Sequence, residues 1–493
     1  MSDKLTGHNK QESQNGVSTV ELLLAFALAI GIIIGTTMVV QSNESLTFDS
    51  LTNSEALLKA QALLEDARAQ SRQNYSSVVT TVPVADSMYT KQVQVDQKSV
   101  TQCGKDVAST VSWTGSNNRS LSVQAKTHVT DFTTALALTH CATTVPIGGW
   151  NPPYTFASSN FNPGKPTGLD VFNGIVYMSG DKPPYFYVAD TNTATLGQSS
   201  GLFVSFANGF SAGAQLNDVK VARLSNGRTY AFVVRHTTTN QFQVIDVTDI
   251  YNPVEVVKRS LAGVSSGGSF PQGWRLYYYA GRVYLVTRET TGPELHVFDV
   301  SNPGAFPGSI VELGGRELNE TVEALVVANQ GTQLYAYMAT DSASRELDVW
   351  NVTNSLAMSR VTAAVQDLSG GQDGASVFAL NGLVYFGRES SGGSEYYIFD
   401  AHNLTVGLPI LQQKDLGTSL IGMAIAGQFA FLSTAKANAE MQVWSADPTK
   451  PITQINTTTF NFPNLIYNGI VYEQPYVYVA SQGNDALRLL YSP

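Results

Sequence analysis

Four aspartates end apolar runs at matching places: Asp190 in "YFYVAD", Asp246 in "FQVID", Asp299 in "LHVFD" and Asp400 in "YYIFD". Repeated carboxylates could hold a metal or move protons. Each, however, stands just before a turn, where Asp accepts backbone N–H groups. Asn351 and Ser445 take the same place in related runs, as a turn role permits. No Asp-rich calcium loop of the right spacing occurs. The six histidines, His8, His128, His140, His236, His296 and His402, include no pair at helical metal spacing. "GVSSGGSFPQG" lacks a base at defined spacing and the strand-to-helix setting of a nucleophile elbow. These residues imply no catalytic centre, no metal and no cofactor. Arg235, Arg288 and Arg388 follow three strand-like runs, and Phe270 and Trp274 lie on a Gly-rich link. Arg and aromatic side chains together are what a recognition surface uses, so these five form the candidate ligand face.

The elements that must carry such a face are legible in the composition. The chain has 493 residues, enough for two to four domains. Only 14% are charged, while Gly (41), Tyr (22) and Phe (22) are plentiful, which suits short strands and tight turns. A net charge of −10 argues against nucleic acid as a partner. Cys103 and Cys141 are the two cysteines. Outside the cytosol such a pair reads as one disulfide, with two free buried thiols as the alternative.

The N-terminal stretch "NGVSTVELLLAFALAIGIIIGTTMVV" has no charge from Leu22 to Val40. As a helix, Val17–Val40 would be about 36 Å long, against ~30 Å of hydrocarbon. Lys4 and Lys10 precede it, and no further Lys or Arg occurs before Lys59. The positive-inside rule then gives a single-pass membrane protein with a cytoplasmic N-terminus and an exported remainder. The helix continues to about Asn74, with Leu57, Ala60, Leu64 and Ala67 as its apolar stripe. Three alternating segments follow, "MYTKQVQVD", "VASTVSWTG" and "LSVQAKTHVT". They predict a small antiparallel sheet that the stripe covers.

Gly16 followed by Val-Ser-Thr-Val-Glu and an apolar run resembles the processing site of type IV prepilins and pseudopilins. The resemblance covers about residues 16–142. It implies that a prepilin peptidase cuts after Gly16 and methylates the Val17 amine. Glu21, the acid five residues beyond the cut, would then pair with such an amine during fibre assembly. Val17 departs from the Phe or Met usual at that place. The implied partners are other pilin subunits through the helix, the prepilin peptidase, and the inner membrane before assembly.

From Pro166 onward the chain repeats. Tyr177, Tyr230, Tyr284, Tyr335, Tyr385, Ala430 and Tyr478 anchor strand-like runs every 45 to 54 residues. Each is followed by a polar loop and a second run. This period, all strand, predicts a seven-bladed β-propeller. Units such as "VIDVTDIYNP" and "VFDVSNP" also resemble the repeat of surface propellers named for the motif Leu-Val-Ile-Val-Asp. The last blade runs out of chain before an outer strand. "WNPPYTFASSNF", Trp150–Phe161, is unassigned, and is expected to supply it by pairing Tyr154, Thr155 and Phe156 with Leu487–Leu490.

The expected fold is thus an α+β pilin-like N-terminal domain, a long helix packed on a small antiparallel sheet, plus an all-β seven-bladed propeller. The expected boundaries are a leader at 1–16, the assembly half of the helix at 17–40, a pilin-like head at 41–142, a linker and closing strand at 143–165, and the propeller at 166–493. The expected function is a non-enzymatic pilin-like subunit. It would display the propeller as an adhesion head on a pilus or pseudopilus at the cell surface, for a glycan or protein ligand. The alternatives are a tethered propeller hydrolase or lyase, and a pseudopilin serving secretion or DNA uptake. The cysteine reading has a direct check. Non-reducing peptide mapping is expected to find Cys103 joined to Cys141, closing a loop of about 39 residues worth at most ~4 kcal/mol. Thiols that react in the native protein would refute it.

Overall fold

In the computed structural model the described residues are 19–73, 75–96, 104–115, 118–130, 149–151, 153–160, 164–264, 272–304, 308–390, 392–456, 460–483 and 485–492. The chain divides into two compact units. One comprises Met1–Ala62, Val82–Gln92 and Ser109–Ala125, and the other Leu63–Thr81, Val93–Ala108 and Lys126–Pro493.

A long helix, α1 (Thr19–Gln73), is followed by β1 (Val84–Asp86), β2 (Tyr89–Val95), β3 (Gly104–Thr114) and β4 (Ser120–Thr130), which form a sheet in that order. Among the described residues of the first unit, Thr52, Ala56 and Ala60 are the buried positions of α1, four residues apart and so on one face. Leu57, expected in the stripe, is 42% exposed, because it lies one position, about 100°, around the helix from Ala56. The small Ala60 lets β3 come close enough for Ser109 Oγ to donate to the Ala60 carbonyl at 2.7 Å. Tyr89 donates to Glu55 at 3.0 Å and packs edge-on against Trp113. In the second unit Leu64 and Ala67 are buried, and the buried Lys105 donates to the Tyr75 carbonyl at 2.9 Å over the Tyr75 ring.

The membrane-spanning assignment is corrected. Among the described residues no helix is long and apolar enough to cross a membrane. The apolar part of α1 is diluted by Gly31, Gly35, Thr36 and Thr37. The single-pass localisation therefore does not stand.

Among the described residues seven sheets follow. Their strands begin with one from ahead of the repeats, β5 (Tyr154–Ser159). Blade 1 is β6 (Pro166–Phe172), β7 (Ile175–Gly180) and β8 (Phe186–Asp190). Blade 2 is β9 (Leu216–Arg223), β10 (Thr229–Arg235), β11 (Phe242–Asp246) and β12 (Val254–Arg259). Blade 3 is β13 (Gly273–Tyr279), β14 (Arg282–Thr287), β15 (Leu295–Asp299) and β16 (Val311–Arg316). Blade 4 is β17 (Val322–Gln330), β18 (Gln333–Thr340), β19 (Leu347–Asn351) and β20 (Ser359–Arg360). Blade 5 is β21 (Gly374–Leu380), β22 (Leu383–Arg388), β23 (Tyr396–Asp400) and β24 (Ile410–Lys414). Blade 6 is β25 (Leu420–Ala426), β26 (Phe429–Thr434) and β27 (Met441–Ser445). Blade 7 is β28 (Leu465–Glu473), β29 (Tyr476–Ser481) and β30 (Leu487–Tyr491), with β5 as its outer strand.

The first strand of each blade touches the first strand of the next, and β28 touches β6, so the ring is closed: a β-propeller. β5 pairs antiparallel with β30, Tyr154 opposite Tyr491 and Thr155 opposite Leu490. Phe156 falls in the bulge of this pairing, and Ala157 resumes it opposite Leu489.

The core lies between blades. Tyr230, Phe232 and Val234 of blade 2 pack with Leu276, Tyr278, Val283 and Leu285 of blade 3. A fully buried side chain of this size contributes about 1.5–3 kcal/mol. The repeated tyrosines add a polar staple across these seams. Tyr230 donates to the Gly304 carbonyl, Tyr385 to the Ala446 carbonyl, and the Tyr478 hydroxyl meets that of Thr191, each in the following blade. A second recurring device precedes the third strand. Glu294, Glu346, Glu395 and Glu440 accept the backbone N–H groups of Leu318, Leu368, Leu416 and Phe462, on the links to the next blade. Gln241 does the same for Leu261. Each link is held by an acceptor from the blade it leaves. Glu395→Ala would strand the N–H group of Leu416, while that of Gly417 keeps Asp415, and is expected to lower stability by about 1–3 kcal/mol in chemical denaturation. Glu395→Gln, which keeps an acceptor, should lose less.

Candidate binding site at the propeller mouth

The first strand of each blade starts at one face of the ring, where the loops between second and third strands also lie. In six of the seven blades that strand is bulged at its second residue. Pairing skips Thr167, Asn217, Trp274, Glu323, Ala375 and Ile421. A bulge leaves one residue unpaired and re-aims its side chain. Thr167, Asn217, Trp274 and Glu323 line a cavity of about 600 Å³ at this mouth, with Arg288, Asp373, Glu389 and Tyr467.

The cavity has a floor. The Glu323 carbonyl accepts from Arg275 Nε at 3.0 Å and from Asn468 Nδ2 at 2.9 Å. Blades 3, 4 and 7 thus meet on one oxygen across the channel. Asn468 can come so close because blade 6 carries Gly422 there. A Cβ at Gly422 would stand 3.2 Å from the Asn468 nitrogen. Beneath this crossbar lies a second cavity of about 270 Å³. Asp170 and Lys220 face each other there at 3.7 Å. Burial pushes Asp170 above the usual carboxylate range, against the pull of Lys220.

The mouth is electrostatically divided. On blade 3, Trp274 donates to Glu323 Oε2 at 3.2 Å, and the Arg288 and Arg275 guanidiniums lie 3.9 and 4.6 Å from its ring centre. On blade 5, Asp373 and Glu389 are neighbours, joined by a backbone hydrogen bond. Burial first, then Glu389, Asp341 and Glu323, push Asp373 up. Tyr467 reaches across from blade 7 to donate to Glu389 at 3.1 Å, and burial with that carboxylate pushes its phenol up to about 12. Burial and Arg288 hold His236 down, so the cationic wall gains no charge from it at neutral pH.

Of the five expected face residues, Arg288 and Trp274 are at the mouth. Arg235 is buried and donates to the Asn240 carbonyl of its own loop. Arg388 is fully buried, donates to the Ser394 carbonyl and lies 3.9 Å from the buried Glu346. These two arginines hold loops, and the expected ring of three does not form. The reason is that β10 and β22 extend through Arg235 and Arg388, whereas β14 stops at Thr287. Phe270 lies outside the described residues, as do Gly16, Val17, Cys103 and Cys141, and of Glu21 only its place in α1 is described. Arg275, Glu323, Asp373, Glu389, Tyr467 and Asn468 were missed. The signal is the start of the first strand, which Asp373 precedes and where Glu323 is second and Arg275 and Tyr467 third, and the residue just after the second strand, Glu389; Asn468, fourth in β28, has none.

The aspartates serve turns. Asp190, Asp246, Asp299 and Asp400 accept from the N–H two residues on. His296 is buried between Glu312 and the Pro293 carbonyl. Among the described residues no group of three or more His, Cys, Asp or Glu is arranged to hold a metal ion.

No protein-family model and no curated protein matches the chain. Solved structures do. The β-propeller domain of Myceliophteria thermophila Cps50 (Swd1) is 11% identical, with a TM-score of 0.46 over 68% of this chain and 99% of that one. YCF48 bound to D1 peptide is 12% identical, with a TM-score of 0.46 over 73% and 98%. A chain of a mitotic checkpoint complex is 12% identical, with a TM-score of 0.45 over 69% and 93%. The propeller is established by the closed ring itself, and function is argued from the mouth.

The position of Asp373 makes a stability prediction. Its carboxyl holds a proton more tightly folded than unfolded, so stability falls as pH rises and it ionises. Asp373→Asn is expected to raise the unfolding temperature by roughly 1–2 °C at neutral pH. The gain should vanish in acid, where the wild-type carboxyl is protonated in both states. A gain that persists in acid would show another cause.

Proposed function

We propose that the chain is a type IV pilin-like subunit carrying a β-propeller as its binding and adhesion head, without enzymatic activity. The observation that carries the reading is α1. The Gly16–Val-Ser-Thr-Val-Glu21 motif leads directly into one helix of 55 residues, which is followed by a four-stranded sheet. Leu23, Leu24, Phe26, Leu28, Ile32 and Ile33 are each more than half exposed on it. An apolar helix surface of this extent needs a cover, and helices of neighbouring subunits in a fibre are the proposed one. Glu21 would meet the Val17 amine of its own chain or of a neighbour, the pairing a carboxylate among apolar helices requires. The blind, polar mouth is the proposed place where the head takes a glycan or protein partner.

Two measurements test this. Mass spectrometry of assembled fibres is expected to find a chain starting at Val17, methylated at its amine. Glu21→Ala is expected to reduce fibre assembly at least tenfold while the propeller stays folded by circular dichroism. Fibres built of chains that start at Met1, or normal assembly of the Glu21 variant, would overturn the pilin reading.

A further inference from the structure

The two walls of the mouth each carry a charged group with nothing to bind. Arg288 is exposed, and among the described residues its guanidinium makes no hydrogen bond or ion pair. It is nevertheless held, stacked 3.9 Å from the Trp274 ring centre while Trp274 is itself fixed by Glu323. A guanidinium fixed through its face keeps its planar fork of N–H donors free for a carboxylate. On the other side, the Asp373 carboxylate accepts no hydrogen bond and meets no cation among the described residues. Its neighbours are Glu389, Asp341 and Glu323, all acids. Glu389 gives one oxygen to Tyr467, and Asp341 gives one to the Thr321 N–H. Arg288 belongs to blade 3 and Asp373 to blade 5, with Glu323 of blade 4 between them, and they form no ion pair with each other. The space they share is about 600 Å³ and floored by the crossbar on the Glu323 carbonyl. That volume lies within the range of small-ligand sites.

We infer that the mouth binds a dipolar ligand of amino-acid to tripeptide size, its carboxylate on the Arg288 fork and its ammonium on Asp373 beside Glu389. This deepens the reading of the mouth as the head's binding site and rests on it. A neutral sugar leaves both charged groups unpaired in a partly desolvated cavity. A simple anion answers only Arg288, and a simple cation only Asp373. A zwitterion satisfies both, and each charge-assisted hydrogen bond of this kind adds appreciably to affinity. The chemistry could come from a free peptide or from a short disordered segment of a partner protein with an acidic and a basic residue at matching separation.

The test uses the full chain and three probes: trialanine, N-acetyl-trialanine and trialanine amide, followed by saturation-transfer NMR. Trialanine is expected to bind, and each capped form to bind at least tenfold more weakly. Arg288→Gln should abolish the preference for the free carboxylate and keep that for the free amine. Asp373→Asn should do the reverse. Thermal unfolding of both variants verifies that they are folded. Equal binding of free and capped peptides, or no binding of trialanine, overturns the inference. So does a neutral disaccharide that binds at the mouth while trialanine does not, although the binding-head reading would then survive. Fibre assembly and Val17 processing are read separately and are unaffected by any of these results.

Discussion

The propeller depends on one pairing, that of β5 with β30. Each blade presents an apolar face to each neighbour, and no blade buries both faces alone. Six seams form between blades that follow each other in the chain. The seventh, between blade 7 and blade 1, has to be made by residues hundreds of positions apart. Outer strand β5 comes from ahead of blade 1 and completes blade 7 through backbone hydrogen bonds to the last strand. Its approach is pinned as well. The fully buried Trp150 ring packs 4.6 Å from Phe431, and the Trp150 backbone N–H donates to Ser492 Oγ at 2.8 Å. On the other flank Glu473 accepts the N–H groups of Asn173 and Gly174, joining the inner strands of blades 7 and 1. With the ring closed, the unpaired edges of the first strands face the central channel, and the outward sheet edges are those of the outer strands.

Closure also makes the mouth. Seven first strands converge on one axis only when the ring is complete, and the bulged residues Thr167, Asn217, Trp274 and Glu323 then share one space. Bulges are costly in a ladder because one residue goes unpaired. In blades 1 to 4 the bulge places a side chain at the mouth. The crossbar on the Glu323 carbonyl turns what would be an open channel into a blind cavity. The cost of burying Arg275 is met there by two backbone carbonyls, those of Glu323 and Asn217. The charges above the floor are left unevenly matched. Glu323 sits within a group containing Arg275 and Arg288 stacked on Trp274, whereas Asp373 is surrounded by acids. An ionised group without a partner is disfavoured by desolvation and by like charges, and such groups gather at functional sites more often than elsewhere.

Much of the molecule was legible in the sequence. The tyrosine anchors and turn aspartates recur because a strand alternates its faces with period two and a turn needs an acceptor at a given offset. Both rules act within a few residues. The missing outer strand of blade 7 was legible by counting, and Tyr154 and Thr155 pair as that count requires. The Glu before the third strand of blades 3 to 6 was equally visible in "ELHVF", "ELDVW", "EYYIF" and "EMQVW", and its meaning was not, since its partners lie about 20 residues on. Two expectations failed for a physical reason. Among the described residues α1, with Gly31, Gly35, Thr36 and Thr37 in its apolar part, is not long and apolar enough to cross a membrane, and the ring of Arg235, Arg288 and Arg388 does not form.

The sequence by itself determined the blade count, the strand positions, the turn chemistry and which segment was left over to close the ring, because each follows from local period and spacing. Only the tertiary structure decided which side chains share the mouth. Arg235, Arg288 and Arg388 have nearly the same sequence context. Arg235 and Arg388 are the last paired residues of β10 and β22, a place that Thr287 takes in β14, so Arg288 falls one residue beyond the strand and onto Trp274. A bulge shifts a side chain from seam to mouth without changing any hydrophobic pattern. Asn468, Arg275 and Glu323 meet only because closure carries blades 3, 4 and 7 to opposite sides of one narrow channel.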